Sequence, residues 1–182
     1  LPDAFAIVNP KISPNYPDQM LCGCAVAFKV VQAVLLKERF GIPQSKEKWL
    51  LDMVGIATLS DMVPLQNENR VFAYYGLVVL QKSRRIGLQK LIKKLKLNQA
   101  NLSEDDIGFM ITPRINAASR MGISMDAFRL LTTENEDIAL ELVKKLEEAN
   151  IRTEVSINSK EEIERIKKEA ATESNVLNSK IQ

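Results

Sequence analysis

The sequence predicts a predominantly α-helical fold: a helical subdomain with one short N-terminal strand and a C-terminal connector helix. Three observations predict it. From Leu21 onward, apolar residues recur at spacings of three and four, the period of helices with one buried face. Only Phe5 to Val8, an apolar run ended by Asn9-Pro10, reads as a strand. The 182 residues are 46% hydrophobic and 26% charged, which is enough to bury a core.

Pro10, Pro14 and Pro17 make the stretch after the strand an irregular loop. Leu21 to Phe40, rich in Ala, Val and Leu, is a helix stopped by Gly41-Ile42-Pro43. A second helix runs from Lys46 to about Ser60, with Trp49, Leu50, Met53, Val54 and Ala57 on one side. A third covers Asn67 to Gln81, with Val71, Tyr74, Tyr75 and Val78 at helical spacing. In the fourth, Gly87 to Leu97, Leu88, Leu91, Ile92 and Leu95 face inward and the lysines outward. Ser103 with Asp106 forms a capping box that opens a short helix to about Ile111. Ser124 is placed to cap a helix from Met125 to Leu131, and Thr133 with Glu136 to cap the next. That last helix repeats Ile138, Leu142, Leu146 and Ala149, and Glu141 supports Lys145 at i, i+4. Beyond Asn150 the apolar pattern thins, as in a helix that spans solvent.

A single strand cannot satisfy its own backbone hydrogen bonds, so a sheet is expected from elsewhere. The start at Leu1, without an initiator methionine, agrees with a fragment. No apolar run approaches the ~18–20 residues of a membrane span. No signal-peptide pattern is visible. Cys22 and Cys24, two residues apart, read as reduced buried thiols, and the default location is cytoplasmic. Net charge is +2. From Asn69 to Ser103, however, no acid interrupts Arg70, Lys82, Arg84, Arg85, Lys90, Lys93, Lys94 and Lys96. That block is either an electrostatic footprint for nucleic acid or a solvated face balanced by acids elsewhere in the fold.

The segment Gly108-Phe109-Met110-Ile111-Thr112-Pro113-Arg114-Ile115-Asn116-Ala117-Ala118-Ser119-Arg120-Met121-Gly122 is chemically distinctive. Pro113 is expected to block helix continuation before Arg114, and the small residues keep the surface low. Two readings follow. Arg114 and Arg120 fork onto phosphate oxygens, or they close a tight turn by capping helices and pairing with carboxylates.

The segment resembles the GPRINAAGRM motif of the RecJ exonuclease family, within the DHH phosphoesterase superfamily. Three more runs resemble that family in order: Ala6 to Pro10 its AIVNP, Leu21 to Lys29 its LSGAGVAFK, and Gly55 to Leu65 its GTVADVVPL, followed by Glu68-Asn69-Arg70. The resemblance implies the C-terminal part of an α/β DHH catalytic domain over residues 1–132. It further implies a connector helix region over 133–171 and a polar tail over 172–182. It implies metal-dependent 5′→3′ hydrolysis of single-stranded DNA in repair and recombination, with Mn²⁺ or Mg²⁺ as cofactor. Asp61 matches the metal-ligating aspartate of the family's fourth motif and is expected in a largely buried setting. Arg114, Asn116 and Arg120, with Lys29 as a weaker candidate, match positions that would hold the DNA backbone. The chain has no histidine, so the DHH signature is missing. The remaining metal ligands would come from an N-terminal half, and this chain alone would be inactive. Thr112 and Ser119 stand where the family has glycines, which would crowd a phosphate if those positions needed positive φ. Two other readings stay open: a related DHH phosphoesterase acting on oligonucleotides or cyclic dinucleotides, and a non-catalytic helical binding module.

Overall fold

A computed structural model describes the backbone of residues 2–179 and the side chains of residues 2–161. The α-helices in order are α1 (Gly23–Lys37), α2 (Leu51–Ser60), α3 (Asn67–Leu80), α4 (Ile86–Lys94), α5 (Thr112–Arg120), α6 (Ser124–Thr132) and α7 (Glu136–Ser179). Lys46–Leu50, expected as the first turns of α2, is a separate 3₁₀ turn. No strand is present among the described residues. The expected strand from Phe5 to Val8 is therefore corrected: the run carries no ladder and Phe5 is fully exposed. An extended segment becomes a strand only when a neighbour accepts its hydrogen bonds, and this chain supplies none.

α2 and α3 approach backbone to backbone. A Cβ on Gly76 would lie 2.4 Å from the Gly55 Cα, and one on Gly55 would lie 2.7 Å from the Gly76 Cα. This contact fixes which face of α3 is inward. Asn69, Phe72, Gly76 and Leu80 are buried, while Val71, Tyr74 and Tyr75 are exposed. Val71, Tyr74 and Tyr75 of the stripe read from periodicity thus point outward and Val78 is half-buried, because only the glycine face lets the helices close. Phe72 meets Phe28 of α1 edge to face, with centroids 5.9 Å apart.

Two apolar clusters flank α2. The smaller joins Leu21, Cys22, Ala25, Phe28, Val54 and Phe72. The larger brings Ile56 together with Leu80, Leu88, Leu91, Ile111, Leu130, Leu142 and Leu146. α7 packs on α4, α5 and α6 through Ala139, Leu142, Val143, Leu146 and Ala149, while Ile138 of the expected stripe stays half exposed. Past Asn150 the described side chains of α7 are almost all exposed, and Glu141 pairs with Lys145 at 2.8 Å. The 44-residue helix spans about 66 Å. Its backbone continues to Ser179, through most of the stretch expected as a polar tail; the side chains there lie outside the described residues.

The capping expectations divide. Ser103 and Asp106 form the expected box: Asp106 N–H donates to Ser103 Oγ at 3.2 Å, and Ser103 N–H to Asp106 Oδ2 at 2.9 Å. Ser124 lies inside α6 and caps nothing. At α7 the cap is Asn135, whose Oδ1 accepts from Asp137 N–H and Ile138 N–H at 2.9 and 3.0 Å; Thr133 instead accepts from Asn135 N–H. Asn135 directly precedes the helix, so its side-chain oxygen reaches the free N–H groups of the first turn.

Gly76→Ala is expected to destabilise the fold by about 2 kcal/mol or more, because the added methyl meets backbone that cannot yield. Gly108→Ala, where a Cβ meets nothing within 4 Å, is expected to change stability by less than about 1 kcal/mol. Urea unfolding of both variants checks the contrast; equal losses would discount the crossing.

Candidate nucleic-acid interface

The segment expected to break at Pro113 does not break. Residues 104–120 run as one helix containing a π turn at Asp106–Ile111. The π turn explains the tolerance. The Thr112 N–H reaches back five residues to Ile107 O, so the turn before Pro113 is wider than in an α-helix. Proline there has no N–H to misplace and sits in the first turn of α5. The helix ends in a Schellman motif: Ile123 N–H donates to Ala118 O at 2.8 Å and Gly122 N–H to Ser119 O at 3.2 Å, with Gly122 at φ +75°.

Thr112 and Ser119 are ordinary helical residues, with Thr112 at φ −56° and ψ −45°. The glycine-like backbone that would have penalised them is not used here. Thr112 is buried, and its hydroxyl shares a 2.6 Å hydrogen bond with Ser60 Oγ. That bond ties the start of α5 to the end of α2, beside Asp61. Asp61 caps α2 and is exposed, not buried as expected. The helix ends at this residue, and Met62 turns away at φ +50° with its side chain in solvent. Among the described residues no side chain bonds the Asp61 carboxylate, and no group of three or more His, Cys, Asp or Glu gathers to hold a metal ion. The described residues alone therefore do not fit a divalent cation.

The helix also separates the two arginines. At about 100° per residue, six positions carry Arg120 about 240° around α5 from Arg114. Arg114 turns to α7, where Nε and Nη2 donate to Glu147 Oε2 and Oε1, each at 3.2 Å, and Nη1 donates to Met110 O at 3.2 Å. Asn116 and Arg120 are exposed on another face and make no side-chain hydrogen bond or ion pair among the described residues. Thr112, Asn116 and Arg120 stand at i, i+4 and i+8, within about 80° of one another. Their row begins at the Ser60–Thr112 contact and runs away from Asp61.

Lys29, on α1, donates to Glu68 Oε1 at 2.5 Å, and Tyr16 donates its hydroxyl to Oε2 of the same carboxylate. Hydrogen bonding to Glu68 raises the Lys29 pKa. Burial pushes Glu68 up, but the bonds from Lys29 and Tyr16 outweigh it and leave its pKa below the ordinary value. Burial, followed by the fields of Cys22, Asp52 and Asp61, raises the Cys24 thiol, and both cysteines are free. Sequence reasoning missed Ser60, Glu68 and Glu147 as partners. Ser60 and Glu68 lay in or just after a motif-like run and Glu147 in none, but nothing local paired them with residues 33 to 52 positions away.

The basic block also divides. Arg85 donates to buried Asp52 at 2.8 Å and Lys90 to Glu136 at 2.6 Å, whereas Lys82, Arg84, Lys93, Lys94 and Lys96 are exposed. Because Glu68 has a lowered folded pKa, its contribution is present above the unfolded value, about 4.3, and is lost as pH falls below it. The melting-temperature gap between wild type and Glu68→Gln should therefore be open at neutral pH and narrow as pH falls below the unfolded value. A gap independent of pH would assign the effect to packing instead.

No protein-family model matches the sequence. Curated relatives do. The chain is 38% identical over 152 residues to the single-stranded-DNA-specific exonuclease RecJ of Bacillus subtilis, covering 82% of this chain and 18% of that protein. It is 36% identical over 174 residues to the Haemophilus influenzae protein of the same name, covering 92% and 30%. Among solved structures, RecJ of Thermus thermophilus in complex with Mn²⁺ superposes with a TM-score of 0.69 at 32% identity, over 80% of this chain and 21% of that one. The chain thus spans less than a third of the curated relatives' length. In sequence and in fold it is similar to one segment of RecJ-family proteins.

Proposed function

We propose that this chain is the helical, strand-holding part of a metal-dependent exonuclease that hydrolyses single-stranded DNA 5′→3′, in cytoplasmic repair and recombination. The observation that carries the reading is the row Thr112–Asn116–Arg120, which starts beside Asp61 and presents an unpaired cation and an amide to solvent. A phosphodiester backbone laid along it meets Asn116 and Arg120 as donors, contacts that position a strand without reading its sequence. Arg114 acts behind them by fastening α5 to α7.

Asp61 would supply one carboxylate to an Mn²⁺ or Mg²⁺ centre whose other ligands would come from an N-terminal half of the catalytic domain; the chemistry supplied by such a centre would be water activation and leaving-oxygen stabilisation. In this reading residues 1–132 form the end of the catalytic domain, 133–171 the connector and 172–182 a tail. No described helix is long and apolar enough to cross a membrane.

The test is fluorescence anisotropy with labelled oligo(dT) across a salt series. The wild-type chain should bind, with affinity falling as salt rises. Arg120→Ala should weaken binding and reduce the salt slope by about 0.7, one single-strand phosphate contact, while stability changes by less than about 0.5 kcal/mol. Arg114→Ala should cost about 2 kcal/mol of stability, because it leaves Glu147 without its fork. Binding and salt slope untouched by Arg120→Ala would remove the proposed interface.

A further inference from the structure

A cleft lies at the other end of α2 from Asp61. It encloses about 660 Å³ between the Lys46–Leu50 turn, the α3–α4 loop and the α6–α7 loop. Asp52 near the start of α2 lines it, about 14 Å along the helix axis from Asp61. Arg84 and Arg85 of the basic block line it, whereas Asp61, Lys29, Arg114, Asn116 and Arg120 do not.

The floor is polar but already satisfied. Asp52 accepts from Ser83 Oγ and from Arg85 Nε, each at 2.8 Å, so Arg85 is committed to neutralising it. The walls are not satisfied. Lys46 and Arg84 are exposed and have no ion-pair partner among the described residues, and Glu134 is the one lining acid left to oppose them. Trp49, the only tryptophan in the chain, lines the cleft while 45% of it stays in solvent. A large aromatic face beside two free cations suits a ligand that is flat at one end and anionic at the other. An acidic peptide would use the cations and leave the indole bare; an apolar ligand would strand the cations.

We infer that this cleft binds a nucleotide unit, with the base stacked on Trp49 and the phosphate between Lys46 and Arg84. The inference rests on the nucleic-acid reading of the chain and adds a second contact, distant from α5. On a strand, such a contact would retain the DNA beyond the reach of Arg120, since stacking tolerates any base.

Trp49 itself reports the outcome. Titration of the 182-residue chain with thymidine 5′-monophosphate and with oligo(dT) should quench its fluorescence saturably. The Lys46→Ala/Arg84→Ala double variant should weaken the quench by at least about tenfold, both positions being exposed and safe for folding. Tighter quenching by oligo(dT) assigns the cleft to a strand, and equal quenching assigns it to a free nucleotide. Arg120→Ala should leave the monophosphate quench unchanged, which separates this site from α5. If oligo(dT) raises anisotropy while Trp49 stays silent, the cleft proposal fails and the α5 reading stands. A quench equal in wild type and double variant also overturns it.

Discussion

Two glycines facing across the α2–α3 crossing set the geometry on which the other contacts depend. With Gly55 and Gly76 backbones touching, α2 sinks to the middle of the molecule and shares its side chains between both apolar clusters, Val54 in one and Ile56 in the other. A helix buried on both sides has only its ends left for chemistry. α2 uses both: Asp52 at the start is neutralised by Arg85, and Ser60 at the finish holds Thr112 and leaves Asp61 in solvent. The burial of the helix is what makes those ends rigid reference points for the loops and helices around them.

The π turn before α5 follows the same logic. Ile107 and Ile111 are both fully buried, and Thr112 must meet Ser60. A regular α-helix would carry Pro113 against the carbonyl four residues back. One widened turn relieves that clash and keeps the apolar residues in the larger cluster. It also leaves Phe109 on the outside, 74% exposed, on the turn that leads into the Asn116 and Arg120 face. The local irregularity is therefore a consequence of satisfying two packing demands around one proline.

Helical periodicity made α1, α4 and the packed start of α7 legible within a few residues, because each presents one apolar stripe to one core. It failed on α3, where glycine, not the apolar stripe, marks the buried face. The strand from Phe5 to Val8 was unreadable in principle, since pairing is a property of two segments and only one is here. At the candidate site, the motif order pointed to Asp61, Arg114, Asn116 and Arg120, but not to their surroundings. Glu147 and Glu68 resemble any solvated glutamate until the fold brings Arg114 and Lys29 onto them. The capping box at Ser103 and Asp106 was legible because all its atoms lie within four residues.

The two readings of the arginine segment, structural tie and the proposed phosphate contact, can hold together, one for each arginine. They would compete in a loop, where Arg114 and Arg120 can converge on one anion. In a helix, six residues send them to different faces, so each takes a separate task. Arg114 finds a carboxylate on α7, three donors engaged and little exposure, which is what keeps α5 from rotating. Arg120 finds none among the described residues, and its guanidinium stays exposed. A rotation of α5 by one residue would swing Asn116 and Arg120 by about 100° away from the end of α2. The half-buried arginine therefore constrains the exposed one: by tying α5 to α7 it fixes the face on which Asn116 and Arg120 stand.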